Sequence, residues 1–156
     1  MARRPSAHLE MVQSRRVPRP TGATSAAILV RSPGDTVYLA GQLPREAPKG
    51  AMCAGPIRRQ AEVAFANLRL LLADAGFAMD ELAQVTLWLT DLKHMAIVDE
   101  VWRKQFVGQS LPARSVAQVA ALEEGALLCV GGVAVKKADA PMPQAPPLAE
   151  DPYEMY

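Results

Sequence analysis

Two stretches of the chain carry helical spacing, and each has one apolar stripe. Between Pro56 and Gly76, the residues Ile57, Ala61, Ala64, Leu68, Leu71, Leu72 and Ala75 recur at three or four. Pro56 suits a first helical position and Gly76 a C-terminal cap. A second helix is expected from Asp91 or Lys93, with Met95, Val98, Trp102 and Phe106 at the same spacing. Around these helices lie β-rich runs at about 26–31, 36–41, 84–90, 113–122 and 126–135, in the order β-β-α-β-α-β-β. Two single-striped helices cannot cover both faces of a broad sheet. The expected fold is α+β, with both helices on one face of a mixed sheet of six strands, one more than the five runs named. The other face is left for a partner, which predicts cyclic oligomerisation through the sheet.

Details follow from local chemistry. Pro33-Gly34-Asp35 reads as a turn between the first two strands. In "ELAQVTLWLTD", Val85, Leu87 and Leu89 alternate with Thr86, Trp88 and Thr90, which predicts a central strand with Trp88 in the core.

Composition narrows the function classes. The chain has 156 residues, 50% apolar and 21% charged, which suits one globular domain. A net charge of +1 provides no global basic field for nucleic acid. No apolar run approaches the ~20 residues of a membrane span. The N-terminus has no apolar core of a secretory signal, so the expected location is the cytoplasm. Residues 1–23 form a basic arm, with five arginines against Glu10. Residues 138–156 form an acidic tail with five prolines and four acids. Both are expected as solvated termini, with a meeting across a subunit interface as the alternative. The domain proper is expected at 24–137.

Few residues carry recognisable chemistry. There is no GxGxxG, no Walker loop and no GxSxG. His94 is the one histidine in the central region and sits where a helix starts, which fits capping better than general-base work. Cys53 and Cys129 are read as reduced thiols and form no CxxC pair, and two histidines make a zinc site improbable. Arg114 opens the apolar strand "LPARSVAQVAAL". It must pair or face a wet cleft, because burying a lone charge is very costly. A guanidinium is the usual group for holding a carboxylate by two parallel bonds. Alternation puts Arg114 and Val116 on one face. In "GALLCVGGVAV", Cys129, Gly131 and Gly132 interrupt an apolar strand. Glycine there marks a bulge or a close backbone approach.

These stretches together resemble the Rid/YjgF family of reactive-intermediate deaminases. The resemblance rests on "LPARSVAQVAAL" before a last apolar strand, "VYLAGQLP" against the family's Ser-Gly-Gln strand, Gln60 with "NLRLLLADAG", and "VTLWLTDL". It covers about residues 25–136. It implies a chorismate-mutase-like fold, a homotrimer with pockets between subunits, and no metal or cofactor. It also implies that Arg114 binds the carboxylate of a 2-imino or 2-enamino acid, which water converts to a 2-keto acid.

The chain departs from the family where the chemistry sits. Cys129 replaces the last-strand glutamate thought to activate water. Gly131 replaces a second acid, Ala40 the serine, Val116 a frequent cysteine, and Asp99 an asparagine; a pocket tyrosine has no match near Ser25 and Ala26. The candidate catalytic residues are Cys129 and Arg114. The candidate substrate-binding residues are Arg114, Val116, Ala40, Gly41, Asp99 and Gly131. Three readings stay open. In the first, imine hydrolysis continues without the glutamate, by orientation alone. In the second, Cys129 is a thiolate stabilised by a nearby Arg114, with Gly131 leaving room for a larger carboxylated substrate of specialised metabolism. In the third, the trimer only binds a metabolite or a protein.

Overall fold

The computed structural model describes residues 8–12, 15, 16, 18–20, 23–30, 33–106, 108 and 111–138. The strands are β1 (Leu9–Val12), β2 (Ala27–Val30), β3 (Pro33–Gln42), β4 (Arg45–Glu46), β5 (Ala51–Met52), β6 (Leu82–Leu89), β7 (Ala113–Gln118) and β8 (Leu128–Lys137). Helix α1 spans Ile57–Asp74 and α2 spans Met95–Lys104.

The main sheet has four strands in the order β3-β8-β6-β7, not the six expected. β8 runs antiparallel to both β3 and β6, while β6 and β7 are parallel, joined through α2. The sheet is smaller because β2 pairs elsewhere. It runs antiparallel to β1, from Leu9 opposite Val30 to Val12 opposite Ala27. One bridge links this segment to the main sheet, Ser25 beside Ala113. The expected hairpin around Pro33-Gly34-Asp35 is therefore absent. Pro33 already pairs with Lys137, and the register slips before Thr36 meets Val135. Residues 8–12 are also more than a solvated arm, since His8 is buried and its Nε2 lies 2.6 Å from the Val135 carbonyl. The proposed meeting of arm and acidic tail falls largely outside the described residues.

The helices follow their punctuation. Pro56 is extended at the N-cap of α1, and Gly76 takes φ +80° just beyond the end, where a left-handed turn favours glycine. Gln60 is buried in the first turn, where its amide donates to Gly55 and accepts from the Leu127 N–H, so it ties α1 to the entry of β8. Leu71 and Ala75, both expected on the buried stripe, are exposed, whereas Leu72 is buried as expected and Phe65, outside the stripe, is buried as well. Asp91 accepts a hydrogen bond from the Lys93 N–H and starts a short 3-10 turn that leads into α2.

Both helices pack on one face of the sheet. Val85, Leu87, Leu89, Leu128 and Val130 meet Phe65, Leu68, Val98 and Trp102 in a fully buried core. Trp102 stacks at tilted angles with Phe65 and Phe106, at 5.5 and 4.5 Å between ring centroids. Such pairs contribute ~0.5–1.5 kcal/mol each beyond their buried area. The opposite face is left open. Trp88 lies there with Thr86 and Gln84, half-buried rather than in the core. Thr36, Tyr38, Ser115 and Ala117 are exposed on the same side, Tyr38 by 79%.

Candidate functional site

Strand register decides which candidate residues can meet. On β7, Arg114 sits beside Val85 and Val116 beside Leu87, so both point toward the helices. On β8, Cys129 sits beside Trp88 and Gly131 beside Thr86, so both point to the open face. The candidates thus divide. Arg114, Val116 and Asp99 share the helix side, whereas Cys129, Gly131, Ala40 and Gly41 lie along the open face and its edge strand. Within the chain the thiol is therefore not beside the guanidinium.

Arg114 is built into its place. Its side chain is 3% exposed, and Nη1 donates to Asp99 Oδ1 at 2.7 Å. The guanidinium lies 5.5 Å from the Trp102 ring centroid, close enough for a cation–π contact. Asp99 and Trp102 are three residues apart on α2, so one helix face supplies both. Nε of Arg114 is buried and has no hydrogen-bond partner. A second support comes from Ser25, whose N–H donates to Pro112 and whose hydroxyl donates to Leu111, fixing the entry of β7. Trp102 in turn donates from its indole to the Ala23 carbonyl at 3.1 Å. Sequence reasoning places Trp102 only in the core and Ser25 only opposite a missing tyrosine. The spacing of Trp102 from Asp99 was the available signal.

Cys129 has a different setting. A Cβ on Gly41 would come within 2.5 Å of its sulfur, so the thiol rests directly on the Gly41 backbone beside Trp88. Burial pushes the Cys129 thiol up from its ordinary value; a backbone hydrogen bond at Val130 works against this, and the charge of Glu123 adds to the rise. The thiol is therefore neutral at physiological pH, and a neutral thiol is a poor nucleophile.

The two glycines beside it are filled, not open. Between Leu39 and Gln42 the edge strand β3 slips its register against β8. This irregularity leans over Gly131, where a Cβ would meet the Leu39 carbonyl oxygen at 3.0 Å. Across the strand, a Cβ on Gly132 would meet the Gln84 carbonyl oxygen at 2.6 Å. Gly131 thus admits neighbouring backbone rather than a larger substrate. A cavity of about 350 Å³ lies instead beside Thr24 and Ser25, bounded by Met11, Val12 and Arg19; neither Arg114 nor Cys129 lines it. No helix among the described residues is long and apolar enough to cross a membrane.

Comparison with known proteins assigns this scaffold. A family profile described as endoribonuclease L-PSP matches residues 15–136, beginning ten residues before the resemblance read from sequence. A RutC family protein of Pyrococcus abyssi is 31% identical over 128 residues, covering 82% of this chain and 98% of its own. The 2-iminobutanoate/2-iminopropanoate deaminase of Rattus norvegicus is 31% identical over 127 residues, covering 81% and 90%. The crystal structure of RidA from the Antarctic bacterium Psychrobacter sp. PAMC 21119 superposes with a TM-score of 0.62 at 29% identity, covering 81% and 98%. With an arginine held at the head of β7 and this profile across nearly the whole described chain, the protein belongs to the endoribonuclease L-PSP family, also known as Rid/YjgF.

Proposed function

We propose that this protein hydrolyses 2-imino and 2-enamino acids to 2-oxo acids and ammonia, with Arg114 holding the substrate carboxylate. One observation carries the reading. Arg114 is a nearly fully buried guanidinium that Asp99 engages through Nη1 only, while Nε has no partner. A buried donor without a partner is destabilising, and a bound carboxylate oxygen would satisfy it. The deaminase of Rattus norvegicus, at 31% identity, supports the same chemistry.

The reaction needs little from the protein beyond orientation. In the protonated imine, the C=N carbon is already electrophilic. Water adds its oxygen to that carbon and loses protons, the nitrogen gains them, and the C–N bond breaks as the C=O bond forms. An iminium acid and one water give a 2-oxo acid and ammonium. Cys129 takes no proton in this scheme, because its thiol stays neutral against Gly41. Its raised proton affinity counts against the thiolate reading.

The open sheet face with exposed Tyr38, Ser115 and Ala117 supports packing against like subunits, in a chorismate-mutase-like trimer. Pockets would then form between subunits, in the cytoplasm.

The test generates 2-iminopropanoate in situ and follows pyruvate formation. Wild type should accelerate hydrolysis over buffer, and Arg114→Ala, checked for folding by circular dichroism, should lose about 10²-fold in kcat/KM. No acceleration by wild type overturns the proposal.

A further inference from the structure

The guanidinium proposed to hold a substrate carboxylate already holds one of the protein's own. Asp99 Oδ1 stands 2.7 Å from Arg114 Nη1. Asp99 is the more exposed partner, at 22% against 3%. Trp102 backs the guanidinium on the same helix. The buried Nε has no hydrogen-bond partner. The pair is close to neutral as a unit, so a ligand reaching Arg114 meets the charge of Asp99 beside it.

We propose that Asp99 sets the charge selectivity of the Arg114 site, favouring zwitterionic 2-iminium acids over plain 2-oxo-acid anions. This rests on the reading of Arg114 as the carboxylate anchor. A 2-oxo acid gains from Arg114 and loses to Asp99 by like-charge repulsion. A protonated 2-imino acid carries a cation next to its carboxylate. Its carboxylate gains from Arg114 and its cation gains from Asp99, so both members of the pair act in its favour. Hydrolysis removes that cation as ammonium. The product is then an anion facing a carboxylate, and the site releases what it has made.

The selectivity is read as a ratio, the dissociation constant of pyruvate over the KM for 2-iminopropanoate. Pyruvate binding is measured by calorimetry and by inhibition of hydrolysis, for wild type, Asp99→Asn and Arg114→Ala. Asp99→Asn keeps the shape and an acceptor oxygen for Nη1 but removes the charge. It should bind pyruvate about tenfold more tightly than wild type, with a higher KM for the imine, so the ratio falls. Pyruvate binding no tighter in Asp99→Asn than in wild type, with Arg114→Ala binding none, overturns the role of Asp99 and leaves the anchor standing. Equal pyruvate binding by Arg114→Ala and wild type overturns the anchor itself, and this inference with it. Asp99→Ser provides the same comparison should the asparagine variant fail to fold.

Discussion

Arg114 and Cys129 face opposite sides of the sheet, although their strands both flank β6. Arg114 is beside Val85 and Cys129 beside Trp88, three positions apart on β6, and an odd offset along a strand reverses the side. The guanidinium therefore belongs to the helix layer, with Asp99 and Trp102, while the thiol belongs to the uncovered layer. A pocket lined by both must draw one of them from each of two subunits.

The contact between the Cys129 sulfur and Gly41 can be measured directly. Gly41→Ala introduces a Cβ 2.5 Å from that sulfur. We expect a loss of about 1–3 kcal/mol in urea unfolding, the usual range for overpacking. Cys129→Ala in the same chain removes the obstructing atom. The double variant should recover at least about 0.5 kcal/mol relative to the sum of the single changes. Simple additivity would mean that the sulfur does not rest on Gly41.

The paired glycines should differ in tolerance. Alanine at 132 meets a backbone oxygen of β6 at 2.6 Å, and alanine at 131 meets one of β3 at 3.0 Å. β6 is a central strand and β3 an edge strand, so the second can shift more easily. Gly132→Ala should cost about 2–3 kcal/mol and Gly131→Ala about 1 kcal/mol. The comparison needs only two chemical melts, and the reverse order contradicts the assignment.

Cys129 should add to alkaline instability. Burial raises its proton affinity in the folded state above that of the unfolded chain. The folded protein therefore keeps a proton that the unfolded chain gives up once pH passes about 8.5, the ordinary thiol value. Stability from this source is complete below that pH and is lost as pH rises through the folded value. Cys129→Ala should flatten the fall in Tm above about pH 8.5, and it should leave the slope near neutrality unchanged. Equal alkaline slopes in the two proteins would show that the thiol is not shielded.

Local patterns made much of this fold legible, and long-range pairing hid the rest. The stripe from Ile57 to Leu68, the punctuation at Pro56 and Gly76, and the alternation of Val85, Leu87 and Leu89 are properties of neighbouring residues, and each was readable. The partner of β2 was not. Leu9–Val12 is four residues long with Glu10 inside it and has no strand signature of its own; only its pairing with Ala27–Val30 makes it one. Trp88 was misplaced because alternation gives two faces without saying which is covered. Arg114 was recognisable as a charge needing a partner. That the partner is Asp99 depends on how α2 packs against the sheet, which no local spacing shows. Gly131 and Gly132 were legible as a place of close approach, but the approaching groups are backbone from β3 and β6, both remote in sequence.

The seat of the Cys129 sulfur on Gly41 also constrains how this chain can vary. Positions 41 and 129 share one volume, so their side chains cannot be chosen independently. Among its descendants, a lineage that enlarges residue 129 must keep glycine at 41 and shift the bulged edge strand, and one that gives 41 a side chain must shrink 129. The two columns of a future alignment should therefore change together, with the thiol and the glycine inherited as a unit.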